Sequence, residues 1–201
     1  MQPRIRWTVV GVALSVFLLL SLLLTLGNSL AAFDLQVTQF LHARRTPWLS
    51  HAMLFVSDAH ETVRILAVTV LVAMWRLYRR DRAAAAALVV VPFGQLLNVG
   101  LKHVFQRPRP VVPEPLVHLA TYSFPSGHAV ASTLFYGMLC ALVLQRVRSP
   151  AWRAAAAAAA VAMILLVAFS RVYLGAHYLG DVVAGIAVGT ACVAGVLKRA
   201  R

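Results

Sequence analysis

Charged side chains are scarce in this 201-residue chain, where Asp, Glu, Lys and Arg make up 12% of residues. A soluble globular domain carries about 25%, and this shortfall argues against water as the only solvent. Acidic residues are scarcer still, six against 19 basic, giving a net charge of +13. Only two cysteines occur, Cys140 and Cys192. Both sit inside apolar runs, read as small core residues and say nothing about redox compartment. No linker is long enough to separate two domains, so residues 1–201 read as one unit. What is abundant is apolar surface: 61% of residues are hydrophobic. The positive charge falls in short patches between apolar runs, a distribution suited to a membrane surface and not to nucleic acid.

A membrane helix needs roughly 20 apolar residues. Thr8–Leu26, Thr62–Tyr78, Ala83–Leu101, Gly127–Leu144, Trp152–Phe169 and about Tyr178–Leu197 supply six candidates. The alanine runs Ala83–Ala87 and Ala154–Ala160 are weakly hydrophobic but strong helix formers. Leu35–Ser57 is apolar in places yet contains Arg44, Arg45 and Pro47, and reads as interfacial amphipathic helix in preference to a seventh span. The fold class expected is an all-α, polytopic membrane helical bundle. A signal peptide over Thr8–Leu26, cleaved after Ser29-Leu30-Ala31, is the weaker reading, because the run exceeds the roughly 7–15 residues of a signal core.

Alternate connections carry Arg4 and Arg6; Arg76, Arg79, Arg80 and Arg82; Arg146, Arg148 and Arg153; and Lys198, Arg199 and Arg201. By the positive-inside rule these face the cytoplasm. Both termini are then cytoplasmic, and six spans satisfy that parity. The expected location is the plasma (inner) membrane.

With that orientation, three polar clusters fall at the outer ends of spans. They are Lys102 to Arg109-Pro110, Pro125-Ser126-Gly127-His128, and Ser170-Arg171 through His177 to Asp181. Ionisable groups at membrane depth are costly unless they serve one another or a ligand. Several guanidinium groups and a lysine make a cationic pocket that matches phosphate oxygens. A helix starting at Ser126-Gly127-His128 would add free N–H groups for an anion. His177 and Asp181 are four apart, so they share a face if the last helix begins before them.

The three clusters resemble the motifs of the type-2 phosphatidic acid phosphatase superfamily, K-x6-R-P, P-S-G-H and S-R-x5-H-x3-D. They occur in order, with no substitution at a defining position, over about residues 102–181. The resemblance implies a membrane lipid phosphatase that needs neither metal nor other cofactor. His177 would be the nucleophile that forms a phosphohistidine, with Asp181 orienting it, and His128 the general acid. Lys102, Arg109, Arg171, Ser126 and Gly127 would hold the phosphate. Arg107, outside the strict motif, reads as an auxiliary head-group contact. The lipid is left open between a polyprenyl diphosphate, phosphatidylglycerol phosphate and phosphatidic acid.

Blander readings apply elsewhere. Arg44, Arg45 and Arg64 read as interfacial anchors, and His42, His51, His60, His103 and His118 as structural residues. Gln95 and Asn98 share a face with Lys102 and read as interhelical hydrogen-bonding groups. Gly185 and Gly189 form a G-x-x-x-G that allows close helix packing, within the bundle or in a homodimer. Two rival functions are an intramembrane serine protease using Ser126 with His177, and a non-enzymatic lipid-binding or transport protein. The first leaves Lys102, Arg109 and Arg171 unexplained, and the second has no need of His128 or of the His177–Asp181 pair. Soluble vanadium haloperoxidases share the motif set, but six apolar spans do not suit them.

Overall fold

The computed structural model describes residues 3–197; Lys198, Arg199 and Arg201, grouped above with the cytoplasmic basic residues, lie outside the described residues. Within them the chain forms nine helices: α1 Pro3–Leu26, α2 Asn28–His42, α3 Pro47–Ala59, α4 Thr62–Tyr78, α5 Arg82–Ala87, α6 Val90–Phe105, α7 Gly127–Leu144, α8 Pro150–Tyr173 and α9 Leu179–Val196. Five stretches are long and apolar enough to cross a bilayer, namely α1, Arg82–Phe105, α7, α8 and α9. Helix α4 has 17 residues, the short end of the roughly 17–25 that suffice.

Local chemistry explains the breaks. The apolar stretch expected as Ala83–Leu101 is interrupted at Leu88 and Val89 because Pro92 has no N–H for the carbonyl of Leu88. That carbonyl accepts instead from Val91 N at 3.0 Å. The segment expected to be interfacial extends back to Asn28 and splits into α2 and α3, of 15 and 13 residues. Each is too short to span, and Pro47 opens α3 at a position where its missing N–H costs nothing. The α2–α3 corner is tied down by Arg45 Nε donating to the carbonyl of Tyr173 at 3.1 Å and Thr46 N donating to the Tyr173 hydroxyl at 3.1 Å.

Helix α7 is the centre of the bundle, packing against α4, α6, α8 and α9. An unbroken run from Ala129 to Phe135 is buried, as expected of a helix enclosed on all sides. The outer surface is apolar, with Leu18 and Leu22 of α1, Val70 and Leu71 of α4, and Val161 and Leu165 of α8 exposed. Such a surface suits hydrocarbon, not water.

Gly185 and Gly189 face inward, which corrects the homodimer option. A Cβ on Gly185 would lie 2.8 Å from the backbone oxygen of Ser126, and one on Gly189 would lie 2.6 Å from Thr133 Cβ. Both glycines are consumed by the α7–α9 contact, so this motif offers no surface to a second chain. Gly189→Val should therefore destabilise the bundle by about 1–3 kcal/mol through overpacking while leaving oligomeric state unchanged. Thermal unfolding and size-exclusion light scattering in detergent would check both.

Candidate active site

One end of the bundle gathers all three motif clusters. The ends of α6 and α8, the starts of α7 and α9, and the short helices α2 and α3 meet there. The opposite end holds Arg76 and Arg146, both paired with Asp81 at 3.4 and 2.6 Å, and Arg6, which donates to the carbonyl of Leu197 at 3.1 Å. The basic residues of the sequence are thus sorted between two ends.

The first cluster staples an irregular loop. Helix α6 stops at Gln106, whose left-handed φ of 46° turns the chain. Lys102, in the last turn, donates through Nζ to the carbonyls of Tyr122 and Ser123. Arg109 donates to the carbonyl of Thr121 at 2.6 Å, to Thr121 Oγ1 at 2.9 Å and to the carbonyl of Ala176 at 2.7 Å. Its Nη1 also lies 3.2 Å from His177 Nε2.

The second cluster opens α7. Ser126 is the N-cap, so the first-turn N–H groups have no helical carbonyl of their own. The Ser126 hydroxyl is buried and has no hydrogen-bond partner among the described residues. Gly127 lets α6 approach, since a Cβ there would stand 3.2 Å from Asn98 Nδ2. Gln95 Nε2 donates to the Gly127 carbonyl at 3.2 Å, the interhelical role expected of it. His128 Nε2 lies 3.2 Å from the carbonyl of Ser57.

The third cluster joins α8 to α9. Arg171 lies in the last turn of α8 and is 2% exposed. It donates to Ser57 Oγ through Nη1, while its Nε has no partner among the described residues. Gly175 then takes φ +70°, and a Cβ there would meet Arg45 Nη2 at 2.9 Å. Helix α9 starts at Leu179, close to the expected Tyr178 and after His177, so the condition under which His177 and Asp181 would share a helical face is not met. Asp181 bridges the gap from inside the helix by a different route. Its Oδ2 accepts from Tyr178 N at 2.9 Å and from Ser123 Oγ, and stands 3.4 Å from His177 Nδ1.

Arg107 also departs from expectation. Its Nη1 donates to Asp181 Oδ1 at 2.6 Å and its Nη2 to Asp34 Oδ2 at 2.9 Å. The guanidinium lies 4.1 Å from the centre of the Tyr178 ring, and the side chain is 10% exposed. An arginine forked between two fully buried carboxylates does not have its charge directed at a head group. Sequence reasoning also missed Asp34, Ser57 and Ser123. Asp34 did leave a signal, as a lone acidic residue in a long apolar stretch; the two serines left none.

His177 is 2% exposed. Burial pushes its imidazole down to about 3, against the opposing pull of the Asp181 carboxylate, so it is neutral at physiological pH. Its Nδ1 faces the Asp181 carboxylate and its Nε2 faces the Arg109 guanidinium. Around it, Lys102, Arg107, Arg109 and Arg171 outnumber the carboxylates of Asp34 and Asp181 by two. That excess matches a phosphate group, which carries about −1.5 to −2 near pH 7.

The depressed His177 value has a thermodynamic consequence. The unfolded chain, with an imidazole near 6.5, binds more protons than the native protein below that pH. Stability is therefore full above about 6.5 and falls as pH drops toward 3. His177→Asn should flatten that fall relative to the wild type. Thermal unfolding in detergent across pH 4–8 would reveal it as a smaller difference at acid pH.

Residues 82–200 match the PAP2 superfamily. Phosphatidylglycerophosphatase B of Bacillus subtilis is 29% identical over 164 residues, covering 81% of this chain and 80% of that protein. The undecaprenyl-diphosphatase of Sulfolobus acidocaldarius is 28% identical over 192 residues, 89% of this chain and 85% of that one. Among solved structures, the transmembrane PAP2-type phosphatidylglycerolphosphate phosphatase from Bacillus subtilis superimposes with a TM-score of 0.82 at 27% identity, covering 92% of this chain and 93% of that one. Aquifex aeolicus LpxE shares the fold at a TM-score of 0.63, with 19% identity. The family match takes in more than half of the chain and includes every position of the three motifs, so this multi-pass membrane protein belongs to the PAP2 superfamily.

Proposed function

We propose that this chain is a lipid phosphatase that hydrolyses a phosphomonoester or diphosphate through a phosphohistidine. The observation that carries this reading is the orientation of His177, with Nδ1 toward Asp181 and Nε2 toward Arg109. In the first step Nε2 attacks the terminal phosphorus, and the bond to its bridging oxygen breaks, releasing the lipid alcohol from a monoester or the lipid phosphate from a diphosphate. His128 supplies the proton that the departing oxygen takes. Asp181 stabilises the positive charge that forms on the imidazole, as a triad carboxylate does. Lys102, Arg109 and Arg171, with the Ser126 hydroxyl and the Gly127 amide, hold the equatorial oxygens as charge spreads over them. Water then attacks the phosphohistidine, His128 accepts its proton, and the N–P bond breaks to release phosphate. The cations supply the charge neutralisation that a metal gives other phosphatases, so the scheme runs without one.

A serine-protease chemistry is disfavoured. A nucleophilic serine needs a base within hydrogen-bond reach, and the Ser126 hydroxyl has no partner among the described residues.

In this reading the site faces the extracytoplasmic side, with six crossings and both termini in the cytoplasm. Helix α4 supports this count, because it links the site end at Thr62 to the Asp81–Arg146 end. The positive-inside rule orients the bundle, since Arg6, Arg76 and Arg146 gather at the end away from the site. The substrate is then an outer-leaflet lipid phosphate, and polyprenyl diphosphate and phosphatidylglycerol phosphate are the first candidates. The names of the two relatives agree with that class.

Phosphate release from a panel of these lipids and phosphatidic acid, with purified protein in detergent, tests the reading. Turnover should be full in excess chelator, and His177→Ala should lose at least about a thousandfold in rate. Restoration of chelated enzyme by a divalent metal would overturn the metal-free scheme. His128→Ala should impair p-nitrophenyl phosphate much less than a lipid ester, because p-nitrophenolate leaves without protonation. Equal losses on both would remove His128 from the acid role.

A further inference from the structure

Asp34 lies on α2, ahead of the residues that match the family, and the mechanism above does not use it. It is nevertheless fully buried and tied to the site from two sides. Its Oδ2 accepts from Arg107 at 2.9 Å and its Oδ1 from Gly180 N at 2.9 Å. Arg107 in turn holds Asp181 Oδ1 at 2.6 Å. The contacts close a ring running from Asp34 through Arg107 and Asp181 to the backbone of Gly180. The seat is built for a carboxylate: a Cβ on Gly180 would stand 2.9 Å from Asp34 Oδ2.

We propose that Asp34 is a positioning residue for the reaction, acting on His177 through Arg107 and Asp181. This rests on the phosphatase reading above. Asp181 must divide its two oxygens, giving Oδ2 to the His177 side and Oδ1 to Arg107. A guanidinium fork can take both oxygens of one carboxylate. Asp34 prevents this by engaging Nη2, which leaves only Nη1 for Asp181. It also offsets the charge of Arg107, which would otherwise oppose the positive charge that forms on His177 during attack. Without Asp34, Arg107 closes on Asp181 and draws Oδ2 away from Nδ1. The Asp34 carboxyl is raised above its ordinary value by burial, which outweighs the lowering by the Gly180 amide and Arg107. Since Asp34 touches none of the groups assigned to the phosphate, its loss should lower kcat and leave KM unchanged.

The test is a double-mutant cycle with Asp34→Asn and Arg107→Lys, measured as kcat per active site at saturating lipid phosphate. Wild type and His177→Ala are run first in the same assay. If the wild type releases no phosphate, the phosphatase reading fails and the cycle says nothing against Asp34's geometry. With an active wild type, Asp34→Asn should lower kcat by about 10- to 100-fold with KM within about twofold. The double variant should then lose no more than Arg107→Lys alone, because both changes break one linkage. Losses that multiply, an unchanged kcat, or a loss confined to KM would overturn the proposal. If Asp34→Asn cannot be recovered folded, Gly180→Ala takes its place in the cycle, since it displaces the Asp34 carboxylate with every charge retained. Non-multiplying kcat losses with Arg107→Lys again support the role, and multiplying losses overturn it.

Discussion

A carboxylate buried beside a neutral imidazole is the constraint on which this structure depends. Asp181 is fully enclosed, and an isolated charge there would cost several kcal/mol. Arg107, Ser123 Oγ and the Tyr178 amide meet its two oxygens and make burial tolerable. That arrangement lets the carboxylate face His177 while burial keeps the imidazole uncharged. Removing one partner of such a buried pair typically costs about 3–5 kcal/mol. The site is therefore a linked set, in which Arg107 joins Asp34 to Asp181, the carboxylate that faces His177.

The bundle delivers these groups by packing small residues at its centre. Gly185 brings α9 to within contact of the Ser126 carbonyl, and Ser126 N donates to the Asp181 carbonyl at 3.0 Å. The start of α7 and the start of α9 are thereby locked together, which fixes Ser126 and Gly127 relative to Asp181. Ser57, from α3, reaches in from the other side to hold Arg171 through its hydroxyl and His128 through its carbonyl. The short helices α2 and α3 therefore contribute Asp34 and Ser57 to a site whose motifs all lie after residue 100.

Much of this was legible in the sequence because apolar run length and fixed polar spacing are local signals. The α1, α4, α7, α8 and α9 segments announce themselves by composition, and the three motifs mark His177, Asp181, His128 and their cationic neighbours. Other features depended on contacts distant in sequence. Nothing near Arg107 indicates that Asp34, 73 residues earlier, will occupy its second nitrogen, so a charged residue among motif cations read as a ligand contact. Gly185 and Gly189 looked equally suited to an internal or an external partner, and only the position of Thr133 and Ser126 decides between them. The expected start of the last span, about Tyr178, lies one residue from the observed start of α9 at Leu179, so the His-x3-Asp spacing does not put both residues on one helical face. The actual pairing comes from an Asp at the third helical position reaching back past the N-cap.

The reading stands on His177 Nε2 becoming bonded to phosphorus, and trapping that species tests it most directly. Enzyme mixed with a lipid substrate carrying labelled phosphate would be quenched in alkali within the first turnovers, digested and mapped. The prediction is a label that survives alkali, is lost in mild acid, and sits on His177, with none retained in His177→Ala. A label on Ser126, or steady phosphate release with no phosphoenzyme on His177 at any quench time, would contradict the mechanism.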